Sequence, residues 1–148
     1  MSKSPFFKNL LIGFLFFTCF LFSKNAVGQG ILGKWIQVTA KQYLTDEGAK
    51  KYGKPFVETD MSTIGTVIYE FKSDHSFFIS SGTGQDTDSR TYSGSWSLTG
   101  DQLIMTDQKS NLSVKSTLSI QSGVMIIETL HPDSKITRKV ALTFKAAN

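Results

Sequence analysis

The chain has 148 residues, of which 16 are basic and 12 are acidic, for a net charge of +4. Three of the basic residues, Lys3, Lys8 and Lys24, lie in the first 28 positions, which contain no acid, so 13 basic residues (16 less 3) accompany 12 acidic ones in the remainder. This near-neutral remainder gives no electrostatic reason to expect nucleic acid or an anionic membrane surface as a partner.

The N-terminal segment has the three parts of a cleavable signal peptide. Lys3 and Lys8 form a charged start, positions 10–22 form an apolar core of 13 residues, and Ala26-Val27-Gly28 offers small residues before a cleavage point at Gln29. The apolar core is shorter than the roughly 20 residues that span a bilayer, so no lasting membrane anchor is predicted. We expect a signal peptide at 1–28 and a secreted or periplasmic domain at 29–148.

The single cysteine, Cys19, lies in the apolar core of this leader. Lipoprotein cleavage before Cys19 is disfavoured because the bulky Phe16 and Phe17 precede it closely. The predicted domain therefore has no thiol for a disulfide, a thiolate metal site or a cysteine nucleophile. Its length of about 120 residues is enough to bury a core without cross-links.

Short runs of alternating apolar and polar residues, typical of half-buried β-strands, follow one another through most of the predicted domain. In the run 66–72, for example, Val67, Tyr69 and Phe71 share one face. Turn residues such as Thr99-Gly100-Asp101 separate the runs. The predicted strands are 32–40, 66–72, 75–80, 91–98, 102–106, 111–120, 124–130 and 136–144.

Most of the connections between these eight strands are short, and short connections force neighbouring strands to run antiparallel. Eight such strands most simply form a closed up-and-down barrel, which leaves no exposed sheet edge. We therefore predict an all-β, eight-stranded antiparallel up-and-down barrel. A two-sheet sandwich satisfies the same periodicity and stays open as an alternative.

The connection from Lys41 to Ser62 is much longer than the others. Thr45 is suited to cap the start of a helix, and Gly53 is suited to end one. Pro55 stops any continuation of that helix. One short helix of about two turns is therefore predicted in this first long connection.

Gly33-Lys34-Trp35 opens the predicted domain, and at this point the sequence resembles the lipocalin-like families, which begin with Gly-x-Trp on the first strand. The long first connection and the seven short strands after it agree with that resemblance. The segments 69–77 and 94–103 are similar to the small secreted lipocalin-like domains of bacteria. The resemblance extends over residues 30–145 and implies a calycin-type β-barrel, with no cofactor.

In barrels of this kind the tryptophan fills the closed end, and a basic side chain from the last strand lies across it. The resemblance therefore implies that Trp35 fills one end. Arg138, which alternation directs inward, is the candidate for the basic contact, of about 0.5–2 kcal/mol. The alternative is an arginine at a strand end that reaches solvent.

The residues that could carry chemistry are isolated from one another. His75 and His131 lie beside turns without a second histidine or a spaced carboxylate, so we interpret them as surface residues. Glu128 either faces water or points into the barrel as a lone carboxylate. Asp86 and Asp88 lack the other ligands of a calcium loop. We predict no metal site and no catalytic residues.

The inner face of an eight-stranded barrel is either filled by side chains or encloses one small ligand. Its predicted members are mostly apolar, which favours a hydrophobic ligand. The long connection is expected to close the open end. The predicted ligand-binding residues are Tyr43, Tyr52, Phe56, Tyr69, Phe71, Phe77, Ile79, Tyr92, Met105 and Arg138, and Trp96, Val114, Leu118 and Ile126 are predicted to face inward as well.

Three functions are consistent with this sequence. The first is a non-enzymatic, exported protein that binds a small hydrophobic molecule in the barrel lumen. The second is a compact domain with a filled core that acts through its surface, as an inhibitor or an interaction module. The third is an enzyme, which requires Glu128, His75 or Arg138 to converge inside the lumen. A cavity of a few hundred Å³ favours the first.

Overall fold

The structure is a computed structural model that describes residues 30–82 and 90–147. A 3-10 turn at Met61–Thr63 separates the second strand from the third. Within the described stretches, no helix is long and apolar enough to cross a bilayer. The elements are β1 (Gly33–Leu44), α1 (Asp46–Tyr52), β2 (Phe56–Asp60), β3 (Thr66–Phe71), β4 (Ser76–Gly82), β5 (Arg90–Thr99), β6 (Gln102–Asp107), β7 (Ser113–Gln121), β8 (Val124–Leu130) and β9 (Thr137–Ala146).

Antiparallel pairing runs in sequence order from β3 to β9, and β9 pairs back with β1, which closes the ring. β1 pairs with β3 through its first half and with β2 through its second half. β2 and β3 thus lie one after the other along the same edge of β1 and share one of eight places in the ring. The predicted eight-stranded antiparallel up-and-down barrel is confirmed, and ring closure excludes the two-sheet sandwich.

The sequence did not predict β2, because Pro55 was expected to end regular structure. Proline interrupts a helix, but it is tolerated at the start of an edge strand, where no ladder hydrogen bond is needed from its nitrogen. Here Pro55 directly precedes β2, and its carbonyl oxygen accepts a hydrogen bond of 2.9 Å from the Leu44 amide. The proline therefore fixes the start of a strand.

Helix α1 confirms the predicted short helix and both of its ends. The Thr45 hydroxyl accepts a hydrogen bond from the Gly48 amide at 3.2 Å, and Gly53 ends the helix at a φ of 68°. The Thr45 amide also donates to the Ile136 carbonyl at 2.9 Å, which attaches the helix to the β8–β9 connection. A Cβ added to Gly48 would lie 2.3 Å from that same carbonyl oxygen, so the contact requires glycine.

The hydrophobic core fills the end of the barrel where β1 begins, which we call the closed end. The β3–β4, β5–β6 and β7–β8 turns lie at this end, whereas α1 and the β6–β7 and β8–β9 connections lie at the other, the open end. The buried core residues are Ile31, Trp35, Tyr69, Phe71, Phe77, Trp96, Leu103, Leu118, Met125, Ile127 and Phe144.

Trp35 occupies the closed end, as predicted, and is 5% exposed. Its indole Nε1 donates a buried hydrogen bond of 2.8 Å to the Ile31 carbonyl oxygen. Gly33, two residues earlier, has a φ of 112°, a conformation that residues with a Cβ rarely adopt. The Gly-x-Trp motif therefore combines a backbone bend with the indole that it turns into the core.

Strand β8 differs from the prediction in which of its side chains face inward. Met125 and Ile127 are buried in the core and pair with Phe144 and Leu142 of β9. Ile126 lies between them and faces outward, so the inward orientation predicted for it is wrong. The run is apolar on both faces, and alternation alone therefore could not assign its inner side.

Candidate functional site

A cavity of about 680 Å³ lies in the barrel between β4, β5, β6 and β7. Its walls are on the inner face, because Ile79 pairs with Tyr92, and Met105 pairs with both Trp96 and Val114. This volume falls within the range of small-molecule pockets. The apolar lining residues are Phe77, Ile79, Tyr92, Met105, Leu112 and Val114.

The cavity is closed on the side of the closed end of the barrel and open on the side of the open end. Phe77 lines it and also belongs to the buried core, where its neighbours include Trp96 and Phe71, whose rings meet edge to face at 5.7 Å. At the other end Tyr92 is 56% exposed and Leu112 is 70% exposed. Among the described residues, the cavity therefore opens to solvent at the open end of the barrel.

The β6–β7 turn contributes the polar lining residues, Asp107, Lys109 and Ser110, at the mouth of the cavity. The Ser110 hydroxyl and amide donate to Asp107 Oδ2 at 2.7 and 2.6 Å. These two hydrogen bonds hold the pKa of the Asp107 carboxyl below its usual value. The carboxylate is therefore ionised at neutral pH, close to the Lys109 ammonium.

The buried polar side chains of the described residues are few and uncharged. Among the described residues, Gln37 and Ser116 are the buried polar side chains, and the Ser116 hydroxyl lies 2.8 Å from that of Thr129. Tyr69 packs edge to face on Phe144 at 4.7 Å, and burial raises the pKa of its phenol. The deep part of the lumen therefore holds no described side chain that is charged at neutral pH.

Four predicted ligand-binding residues, Phe77, Ile79, Tyr92 and Met105, come together in the cavity wall. Their contact with a ligand stays a prediction. Tyr69 and Phe71 face inward as expected but are packed into the core, outside the cavity. Side chains thus fill the half of the barrel at the closed end. The half at the open end contains the cavity, on the β4–β7 side.

Tyr43 and Phe56 lie on the outer face of the barrel, not over its open end. They pair across β1 and β2, with ring centroids 6.3 Å apart. Lys41 Nζ lies 3.8 Å from the Phe56 ring centroid, and Lys139 Nζ lies 4.6 Å from that of Tyr43. The prediction placed both residues in the long connection, but β1 continues to Leu44 and pairs with β2, so they lie in strands. Beyond the bulge between Gln37 and Thr39, the Tyr43 side chain faces outward.

Tyr52 is the last residue of α1 and is half exposed, with Lys51 Nζ 5.3 Å from its ring centroid. It does not line the cavity. The predicted closure of the open end by Tyr43, Tyr52 and Phe56 is therefore corrected. α1 instead lies against the β8–β9 connection, which Thr45 joins to it.

Arg138 is exposed near the start of β9, and the predicted contact with Trp35 is wrong. Trp35 pairs with Ala146, at the other end of β9. Eight residues of strand separate the two positions, which is roughly 26 Å at 3.3 Å per residue. The alternative, an arginine at a strand end that reaches solvent, is what the structure has.

The other candidate residues do not converge on the cavity. Glu128 lies on the outer face, where its Oε1 accepts a hydrogen bond of 2.6 Å from Lys139 Nζ. His75 and His131 are exposed in turns, and the His75 ring lies 4.9 Å from that of Trp96. Asp86 and Asp88 fall outside the described residues. No group of three potential metal ligands occurs within the described part of the chain.

Sequence reasoning missed the contribution of the β6–β7 turn, Asp107 to Leu112, to the mouth of the cavity. A signal for it was present, because connections in an up-and-down barrel alternate between the two ends. The β6–β7 turn must then lie at the same end as the predicted helix. Val114 was predicted to face inward but was not included among the ligand-binding residues.

A closed ring of antiparallel strands, filled by a tryptophan at one end and open at the other, is a calycin-type barrel. A profile of the family described as the lipocalin-like domain matches residues 31–127, more than half of the chain, so the chain belongs to the lipocalin-like domain family.

Among solved structures, three crystal structures of the fluorescent protein UnaG are similar to this chain, each at 12% sequence identity. Two single-residue mutants have TM-scores of 0.45 and 0.44 and cover 82% and 81% of this chain, with 99% and 98% of their own chains aligned. The wild type has a TM-score of 0.43 and covers 80% of this chain, with 98% of its own aligned. No curated protein sequence matches the chain.

Proposed function

We propose that this protein binds a small hydrophobic molecule in the open half of its barrel and does not transform it. The observation that carries the proposal is the cavity of about 680 Å³, most of whose lining is apolar. Burial of apolar ligand surface there stabilises the complex by roughly 25 cal/mol per Å². The described lining residues include one carboxylate, which Ser110 engages, and no histidine.

Filling the cavity should weaken binding while the barrel stays folded. Val114 lines the cavity near the exposed end, so Val114→Trp places a large ring inside it. We expect the affinity for the uncharged fluorescent probe N-phenyl-1-naphthylamine to fall by about tenfold or more, since the probe loses a well-packed apolar contact. Fluorescence titration measures the affinity, and thermal unfolding reports the fold.

The matched control is Ser119→Trp, on the outer face of the same strand, where the side chain is exposed. This variant should bind the probe like the wild type. The proposal fails if the wild-type protein does not bind the probe, or if Val114→Trp binds it as tightly. Absence of binding by the wild type favours a domain that acts through its surface.

The proposal also includes export to the periplasm or the medium. It is supported by the charged start, the 13-residue apolar core and the small residues of Ala26-Val27-Gly28. We expect intact-mass measurement of the protein recovered from a secreting cell to give a chain that begins at Gln29. A chain that retains the leader, recovered from the cytoplasm, contradicts this part of the proposal.

A further inference from the structure

A polar groove lies on the outer face of the barrel, where β4, β5 and β6 meet the β6–β7 turn. Its volume of about 420 Å³ is within the range of small-molecule sites. Ser95 and Thr106 pair across β5 and β6, next to the inward-facing Trp96 and Met105, so their side chains point away from the lumen. The described side chains that line the groove are those of Ser76, Ser95, Thr106, Asp107, Gln108 and Asn111.

The chemistry of this lining limits the ligand that the groove can hold. Hydroxyl and amide side chains both donate and accept hydrogen bonds, as the hydroxyls of a sugar do. The described lining includes no basic group, which a phosphate or sulfate needs, and no aromatic ring to cover an apolar ligand. Asp107 is its one carboxylate, and a carboxylate accepts strong hydrogen bonds from hydroxyls. We propose that the groove binds a neutral oligosaccharide.

Hydrogen bonds between described residues hold the polar groups of the groove in place. The Ser93 hydroxyl donates to Gln108 Oε1 at 3.2 Å, so the Gln108 Nε2 group remains as a donor for the ligand. The Gln108 amide donates to the Ser93 carbonyl at 2.9 Å, which attaches the β6–β7 turn to β5. The Asn111 amide donates to the Asp107 carbonyl, also at 2.9 Å. Groups fixed in this way lose little freedom when a ligand binds.

A row of hydroxyls extends the groove across the sheet. Ser76, Ser95, Thr106 and Ser113 are successive partners on β4, β5, β6 and β7, and the last two hydroxyls lie 2.8 Å apart. Four strands about 4.8 Å apart give a row of roughly 14 Å. Lys115 is the one charged side chain among the described residues on the outer face of β5, β6 and β7. This length and this lack of charge favour a chain of neutral sugars over a single small polyol.

Titration of the ¹⁵N-labelled protein with three soluble hexasaccharides tests the proposal. Cellohexaose and maltohexaose are neutral hexamers of glucose, and hexagalacturonate is an anionic counterpart. We expect a glucose hexamer to shift the backbone amide resonances of Ser95, Thr106 and Gln108, with a Kd of about 1 mM from a few hydrogen bonds. Hexagalacturonate should bind about threefold more weakly, because the Asp107 carboxylate repels it.

A matched pair of variants assigns the binding to the groove. Gln108→Ala removes one donor and should weaken binding of the glucose hexamer by about fivefold. Gln102→Ala removes the same side chain from the outer face of β6, outside the described lining, and should bind like the wild type.

Four results overturn the proposal. They are no shift of these resonances with either glucose hexamer at about 10 mM, tighter binding of hexagalacturonate, wild-type affinity in Gln108→Ala, or displacement of N-phenyl-1-naphthylamine by a glucose hexamer. The last result places the sugar in the lumen. The groove and the lumen are tested separately, so failure of this proposal leaves the proposed function standing.

Discussion

Replacing Trp35 with alanine is expected to lower the free energy of unfolding by about 3–5 kcal/mol, the range for large aromatic side chains removed from a core. The indole is almost fully buried at the closed end of the barrel and contributes to the core cluster. Its loss leaves a cavity there and also leaves the Ile31 carbonyl oxygen without its hydrogen-bond donor. Urea unfolding of the wild type and the variant measures the difference.

Trp35→Phe separates packing from hydrogen bonding. Phenylalanine keeps much of the apolar contact but cannot donate to the Ile31 carbonyl, so we expect a smaller loss of about 1–3 kcal/mol. Probe binding should be retained in this variant, because Trp35 does not line the cavity. The account of Trp35 is wrong if the alanine variant loses less than about 1 kcal/mol.

Gly94→Ala is expected to lower the free energy of unfolding by about 3 kcal/mol or more, at the upper end of the range for overpacking. A Cβ at this position would lie 1.9 Å from the Thr106 carbonyl oxygen and 2.8 Å from Phe77 Cε1. The carbonyl is part of the backbone of β6, so relief requires β5 and β6 to separate. Probe binding should weaken as well, because Phe77 forms part of the cavity wall.

Ser95→Ala is the control for Gly94→Ala. Ser95 is the next residue of β5, and its side chain is exposed. A change there should stay within about 0.5 kcal/mol of the wild type. Thermal unfolding compares the stability of the two variants. If Gly94→Ala is as stable as Ser95→Ala, the close approach of a Cβ to the Thr106 carbonyl oxygen does not destabilise the barrel.

Alternation predicted the fold well wherever a strand has one polar and one apolar face. Val67, Tyr69 and Phe71 of β3 were predicted to share one face, with Tyr69 and Phe71 pointing inward, and the structure places all three on the inner face. The same rule could not orient β8, because Ile126 is as apolar as its buried neighbours. Alternation identifies the inner face by the difference in polarity between the two faces of a strand, and both faces of β8 are apolar.

A bulge makes alternation assign side chains to the wrong face, even in a strand whose apolar and polar residues alternate clearly. The register shift between Gln37 and Thr39 turns Tyr43 outward, although counting in twos from Trp35 places it inside. Nothing in this stretch of sequence marks the extra residue. The same count does not give depth along the barrel. Arg138 was expected beside Trp35 because the family resemblance implies a basic contact from the last strand, whereas Arg138 lies near the opposite end of β9.

The cavity itself was predictable only in part. The residues of its deep wall follow from the barrel and from alternation, as Phe77, Ile79 and Met105 illustrate. Whether the interior is filled or hollow depends on how side chains from all strands pack together. A single sequence does not give that packing. The polar mouth depends on the conformation of one turn, fixed by hydrogen bonds from Ser110 to Asp107.

The pairing between β1 and β9, the first and last strands, determines when this chain can finish folding. Trp35 pairs with Ala146 and Leu44 with Thr137, so β1 lacks its longest partner until the final ten-residue strand exists. Synthesis proceeds from the N-terminus, and contacts between such distant parts of a chain form slowly. Until then β1 and β8 present unpaired backbone edges to other molecules, which makes the nascent chain prone to association with its own copies.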